Sequence, residues 1–221
     1  MARIDHLVTS GTFSLDGGTW DVDNNVWIVG DDTEVVVFDP AHNPQAIVDT
    51  VAGRRVVAIL LTHAHDDHIR AVDETRRALA ADGSTPPVYL NPDDEVLWAM
   101  VYPDVIPDVG VIDGLTVDVG GVTLRAIHTP GHSPGSTCWF AAEGLEWDGA
   151  ARPVLFSGDT LFNGGPGTTG RSYSSFDTII DSITKRLFPL PDDTVVLTGH
   201  GDTTSIGAEK PHLQEWLDRG H

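Results

Sequence analysis

The sequence predicts a layered α/β domain with sheets inside and helices outside, and three observations carry that prediction. Four apolar, β-branched runs each end within a few residues of a histidine or aspartate, the pattern of side chains gathered at one edge of a sheet. Strand-type segments open the chain, helical segments then interleave with them, and strands return before a helical end. The 221 residues suffice for one domain, 1–221, with a substantial core, and no low-complexity linker or fixed-period repeat divides them.

Taken in order, the chain opens with short extended segments. Val26–Val29 and Val35–Phe38 flank Gly30-Asp31-Asp32, which reads as a hairpin. Val56–Leu61 is continuously apolar and suits a strand covered on both faces. A helix is predicted over Ala71–Ala81, where Ala, Arg and Glu dominate. A second follows Pro92, with Asp93 and Asp94 favoured in its first turn. Strands are expected between Leu115 and Phe140 and again from Val154. Ser175–Leu187 has helical spacing, and His212–Arg219 reads as a closing helix. Trp98-Ala99-Met100-Val101-Tyr102 is assigned to the core, the commoner fate of such a run.

Composition excludes several classes. The formal net charge of −20 repels phosphate backbones, so no nucleic-acid partner is expected. No apolar run is long enough for a membrane span and no charged-then-apolar leader is present, so the expectation is a cytoplasmic protein without a membrane partner. The single cysteine, Cys138, lies in the apolar stretch Ser136–Phe140 and reads as a core residue, not a nucleophile. The partner expected is a small-molecule substrate, and no feature of the sequence sets an oligomeric state.

The chemistry follows the ends of the apolar runs. Val56–Leu61 leads into Thr62-His63-Ala64-His65-Asp66-Asp67-His68, Val122–Ile127 leads through Thr129-Pro130-Gly131 to His132, Val154–Phe156 leads to Asp159, and Val195–Leu197 leads to His200. In extended chain His63 and His65 face the same side and can reach one ion, while Asp67 and His68 follow a turn and can point at a second. Imidazole and carboxylate ligands without cysteine suit zinc, iron or manganese.

His63-x-His65-x-Asp67-His68, His132, Asp159 and His200 together resemble the metallo-β-lactamase superfamily, whose fold is a four-layer αββα sandwich. Thr129–Ser136, Phe156–Phe162 and Thr198–Thr204 are similar to motifs of glyoxalase II-type proteins, and the resemblance spans 25–209. It implies that His63, His65 and His132 bind one divalent metal ion, that Asp67, His68 and His200 bind a second, and that Asp159 bridges the two. Zinc is the expected metal, with iron or manganese as the alternatives. Such a pair activates water near neutral pH and clamps a tetrahedral intermediate, with Asp67 orienting the nucleophile. The site carries no evident general acid, which favours a thioester, because a thiol with a pKa of about 8.5 departs as thiolate.

The expectation is therefore a glyoxalase II-like thioesterase acting on an acyl thioester of a small thiol of the glutathione or mycothiol type. Arg70 stands where that family commonly carries glycine, and the larger enzymes' helical C-terminal domain has no counterpart here. Arg70, Arg171, Tyr173 and Lys210 are the candidate substrate-binding residues. The alternatives are a persulfide dioxygenase, with one iron held by the positions of His63, His132 and Asp159, and a lactonase. A β-lactamase is disfavoured by the bridging aspartate, and a nuclease by the acidic charge.

Overall fold

The computed structural model describes residues 2–80 and 84–220. The chain begins with two long strands, β1 (Arg3–Leu15) and β2 (Gly18–Gly30), paired antiparallel along their whole length. The expectation of short segments is corrected here. The missed signal is Asp16-Gly17, both at positive φ (53° and 78°), the dipeptide that favours a two-residue hairpin turn. β3 (Glu34–Phe38) pairs antiparallel with β2, as the Gly30–Asp32 punctuation predicts.

Helix α1 (Pro44–Val51) was not expected, although Asn43 accepts a hydrogen bond from the Ala46 amide at 3.1 Å and proline occupies the first helical position. β4 (Arg55–Leu60) then runs parallel to β3. The helix expected over Ala71–Ala81 appears as the shorter α3 (Val72–Ala78), with Ala81 outside the described residues, and it is preceded by an unexpected single turn, α2 (Asp66–Ile69). β5 (Val88–Leu90) is followed by a 3-10 turn at Pro92–Asp94, α4 (Glu95–Val101) and β6 (Val109–Gly110). On α4, Trp98 is buried but Met100 is 56% exposed, so only part of that run is core.

The second half supplies β7 (Thr116–Val119), β8 (Val122–His128), β9 (Thr137–Ala141), the small hairpin β10 (Glu146–Trp147) and β11 (Ala150–Ala151), and β12 (Val154–Gly158). A second small hairpin, β13 (Leu161–Phe162) and β14 (Gly165–Pro166), precedes α5 (Phe176–Ser182), which continues into a π-helical turn at Ile183–Leu187. β15 (Val195–Thr198), β16 (Thr204–Ser205), α6 (Ile206–Glu209) and α7 (Leu213–Arg219) complete the chain.

Two six-stranded sheets result, ordered β1-β2-β3-β4-β5-β6 and β16-β15-β12-β9-β8-β7. Their inner faces meet in one core that includes Trp27, Phe38, Leu60, Trp139, Phe156 and Leu197, with Phe38 and Phe156 stacked at 4.2 Å between centroids. Ile47 and Val51 of α1, and Leu97 and Trp98 of α4, cover the outer face of the first sheet; Ile179 and Trp216 cover that of the second. Each fully buried aliphatic or aromatic side chain contributes about 1.5–3 kcal/mol. The order is helix, sheet, sheet, helix, the αββα sandwich.

Strand direction sets the position of the site. β8 and β12 both run antiparallel to β9, and β15 runs parallel to β12, so the carboxyl ends of β8, β12 and β15 share one edge. The carboxyl end of β4 is tied to that edge where the Thr137 amide donates to the Thr62 carbonyl at 2.7 Å. Trp27 Nε1 likewise donates across the sheets to the Thr198 carbonyl at 3.0 Å.

Candidate metal centre

Four loops at this edge carry the candidate ligands. After β4 the chain stays extended through His65 (φ −64°, ψ 146°) and then turns into α2, which carries Asp67 and His68. His132 follows β8. The β12–β15 register shifts between Phe156 and Gly158, and Gly158 adopts φ 49°, so a bulge aims Asp159 out of its strand. His200 follows β15 and Gly199, where an added Cβ would lie 2.2 Å from Asp159 Oδ1 and 2.9 Å from the His68 ring.

All seven candidates converge. His63 Nε2 and His132 Nε2 lie 3.1 and 2.9 Å from His65 Nδ1, which makes one three-nitrogen set. His68 Nε2 lies 3.1 Å from His200 Nε2, and Asp67 Oδ2 lies 3.5 and 3.3 Å from those two nitrogens, which makes a second set. Asp159 reaches both: Oδ2 is 3.5 Å from His132 Nε2 and 3.4 Å from His200 Nε2, and Oδ1 is 3.5 Å from His68 Nε2.

The outer hydrogen bonds fix which nitrogen faces inward. The Thr168 carbonyl accepts from His132 Nδ1 at 2.9 Å and the Asp23 carbonyl accepts from His200 Nδ1 at 2.7 Å, because a carbonyl can only accept. Thr62 Oγ1 gives its proton to Asp39 Oδ2 at 2.6 Å and so accepts from His63 Nδ1 at 3.1 Å. His68 Nδ1 lies 3.1 Å from the same Asp39 oxygen. In their neutral forms these four imidazoles all turn an Nε2 lone pair into the centre. Lone pairs of five rings and two carboxylates, crowded together with Asp159 Oδ1 buried and unpartnered, fit a cation centre.

Asp39, Asn24 and Asp94 support this set and were not picked out from the sequence. Asp39 could pass for a ligand beside His63 and His68, but its oxygens already accept from the Thr62 amide, the Thr62 hydroxyl and His68, so it orients. Buried Asn24 donates to Asp67 Oδ2 at 2.9 Å, and its Oδ1 accepts from His42 Nε2 at 2.7 Å. Asp94 is buried and receives the Ala64 amide (2.9 Å), the Ser133 hydroxyl (2.8 Å) and the Gly135 amide (2.5 Å), clamping the first ligand loop to the His132 loop. Burial raises the Asp94 carboxyl above its ordinary range.

Electrostatics divides the rings. Burial, aided by neighbouring rings, pushes His63 well below its ordinary value and His65 down to about 3. For His200 burial acts downward, but Asp159 and Asp67 overcome it and raise the ring to about 10. His68 is raised for the same reason, with burial opposed by Asp67, Asp159 and Asp39. Burial opposes ionisation of Asp67, and the fields of His68 and His200 overcome it and hold the carboxyl at about 2. Asp159 is likewise ionised, with His200 and His68 outweighing burial.

The centre opens into a cleft of about 400 Å³ lined by His65, Asp67, His132, Asp159 and His200 together with Phe13, Phe162 and Arg171, among others. Of the four substrate-binding candidates, Arg171 lines this cleft. Arg70 pairs with Asp66 one helical turn back, and its side chain is 52% exposed. Tyr173 points largely to solvent, and Lys210 pairs with Asp192 at 3.1 Å. Cys138 is fully buried, and burial pushes its thiol up to about 11. Among the described residues, no helix is long and apolar enough to cross a membrane.

Comparison with known proteins places this geometry in context. Residues 19–200 match the family model described as the metallo-beta-lactamase superfamily. A probable metallo-hydrolase of Bacillus subtilis, YqgX, is 32% identical over 196 residues, covering 81% of this chain and 85% of that protein. The hydroxyacylglutathione hydrolase GloC of Haemophilus influenzae is 27% identical over 196 residues, covering 81% and 86%. Among solved structures, the BLEG-1 B3 metallo-beta-lactamase superposes with a TM-score of 0.72 at 30% identity, covering 92% of this chain and 97% of that one. TTHA1623 in a di-iron-bound form gives 0.67 at 29%, covering 91% and 96%. ETHE1 from Myxococcus xanthus gives 0.70 at 25%, covering 93% and 83%.

Proposed function

The chain belongs to the metallo-β-lactamase superfamily, and from that premise we propose that it is a binuclear metal-dependent hydrolase that cleaves an acyl thioester of a low-molecular-weight thiol of the glutathione or mycothiol type. The observation that carries the proposal is the position of Asp159, whose two carboxylate oxygens lie within 3.5 Å of nitrogens in both three-residue ligand sets. His63, His65 and His132 would hold one ion and Asp67, His68 and His200 the other. Two divalent ions held there supply Lewis acidity and a water nucleophile at neutral pH. The likeness to a di-iron protein supports two metals in this frame, with zinc, iron and manganese all compatible with the donors.

The chain's own residues define the rest of the reaction. Asp67 is ionised and fixed by Asn24, so it can orient the attacking water by accepting its hydrogen bond. Phe13, Val22 and Phe162 give the cleft apolar walls that limit competing solvent. Among its described lining residues the cleft offers no lysine, tyrosine or cysteine to protonate a poor leaving group. A thiolate needs no such donor, since a thiol pKa of about 8.5 makes it a good leaving group. The relationship to GloC supports the same substrate class. A cytoplasmic location belongs to this reading, as the place where such thiols and a lone unoxidised cysteine are expected.

A second reading, an iron-dependent persulfide dioxygenase using His63, His132 and Asp159, draws support from the likeness to ETHE1. Elemental analysis combined with turnover assays separates the two. About two metal ions per chain with hydrolysis of acyl glutathione or acyl mycothiol, lost in His63→Ala and Asp159→Ala, is the expected result. One iron per chain with oxygen uptake on a thiol persulfide would replace the thioesterase reading. Turnover of a chromogenic β-lactam without thioester cleavage would favour the activity named for BLEG-1.

A further inference from the structure

Arg171 occupies a built position at the mouth of the cleft. Its turn is fixed by Ser174, whose Oγ accepts from the Gly170 and Arg171 amides at 2.9 and 3.1 Å, and by Tyr173, which adopts φ 70°. The segment is tied to the metal-ligand loop on both sides of Arg171: the Thr168 carbonyl accepts from His132 Nδ1 at 2.9 Å, and the Ser175 amide donates to the Gly131 carbonyl at 2.7 Å. It is latched to the tip of the β1–β2 hairpin by the Ser172 amide, which donates to Asp16 Oδ2 at 2.9 Å. The guanidinium carbon lies 3.7 Å from the centre of the Trp20 ring and 5.2 Å from that of Phe13. Phe13 in turn stands 5.1 Å from the His65 ring.

Stacking uses the faces of a guanidinium and leaves its in-plane N–H donors at the edges. Other arginines spend those donors on carboxylates, as Arg54 does on Asp5, Arg76 on Asp108 and Arg186 on Asp113. Among the described residues, no carboxylate lies at ion-pairing distance from Arg171, although the chain carries 33 acidic side chains. Among the described residues lining the cleft, which include Asp23, Asp67 and Asp159, it is the one cationic side chain other than histidine.

We infer that Arg171 is the anchor for a carboxylate on the thiol half of the substrate, held bidentate at the guanidinium edge while Trp20 and Phe13 support its face. The inference rests on the thioesterase reading and narrows its substrate class to thioesters of carboxylate-bearing thiols. With Phe13 between them, Arg171 lies no more than about 10 Å from the His65 ring, a span that two to three residues of extended peptide cover. A terminal carboxylate on a short peptide thiol can therefore reach Arg171 while its thioester lies at the metal centre. Substrate selection would then depend on the hairpin and the Arg171 turn acting together.

The test uses metal-loaded protein and S-methylglutathione, a stable thioether that cannot be hydrolysed. Wild-type protein is expected to bind it saturably in calorimetry, and Arg171→Met, which keeps apolar bulk against Trp20, to bind at least about tenfold more weakly. Arg171→Lys should fall between them. In kinetics, Arg171→Met should raise KM for lactoylglutathione by a similar factor, leave kcat within about twofold, and cost the uncharged thioester of N-acetylcysteamine several-fold less in kcat/KM than lactoylglutathione. Absence of S-methylglutathione binding to wild type, or equal losses on the charged and uncharged substrates, would overturn the assignment. If no thioester is cleaved but Arg171-dependent binding persists, the thioesterase reading fails and the anchor stands.

Discussion

Asp39 Oδ2 lies 3.1 Å from His68 Nδ1 and receives the Thr62 hydroxyl at 2.6 Å. One carboxylate thereby sets the tautomers of His68 and, through Thr62, of His63, which belong to different ligand sets. Asp39→Ala is expected to weaken metal binding about 10–100-fold while every candidate ligand remains. Competition against a chromophoric chelator measures this, and unchanged affinity would refute the orienting role.

Proton release on metal binding should be asymmetric. At pH 8 His65, lowered to about 3, is already neutral, whereas His200, raised to about 10, carries a proton that the metal must displace. Affinity at the His200 set should therefore rise with pH up to about 10. Calorimetric zinc titration in buffers of different ionisation enthalpy is expected to show protons released from both rings of the His68–His200 pair, since both are raised. His200→Ala should release fewer protons than wild type, with His68 still contributing, and His65→Ala should release as many; the reverse result contradicts the assignment.

Gly199→Ala tests the geometry of the bridging carboxylate. The new Cβ would fall 2.2 Å from Asp159 Oδ1, so Asp159 and His68 must move. The far-ultraviolet circular dichroism should stay native while metal affinity falls at least about tenfold. Full metal content in this variant would show that the carboxylate has slack.

Cys138 should be chemically silent in the folded protein. Its thiol is raised to about 11 by burial, so at pH 8 it is protonated and shielded. An aromatic disulfide reagent is expected to leave it unlabelled for hours, to leave activity unchanged, and to modify one thiol per chain after denaturation. Rapid labelling of native protein would contradict the core assignment.

Much of the centre was legible in the sequence because each candidate ligand follows an apolar run, and such runs become strands with a shared edge. By the same signal Asp39, which ends Val35–Phe38, is readable, although Asp-Pro is also an ordinary turn dipeptide. Asp94 was less accessible, since an acidic residue after Pro92 is favoured in a helix's first turn without any further role. Its three loop contacts arise from chain separated by 30 to 41 residues, which no local pattern encodes. The β1–β2 hairpin was underestimated because its strands are rich in Asp, Ser and Thr, and only the Asp16-Gly17 turn announces it. Arg70 is a candidate because it stands where the resembling family carries glycine, and Lys210 as a polar side chain for the rim, and each instead has a carboxylate as partner.

The candidate ligands come from both sheets: His63, His65, Asp67 and His68 follow β4 of the first, while His132, Asp159 and His200 follow strands of the second. An ion bound between them is a cross-link holding the two halves of the sandwich shut. Its binding free energy adds to the cost of prising the sheets apart, and escape of the ion becomes coupled to that opening. The ligand positions are also far apart along the chain, so the cross-link can close only after the sheets have docked. Retention of metal thus serves as a gauge of whether the sandwich is fully assembled.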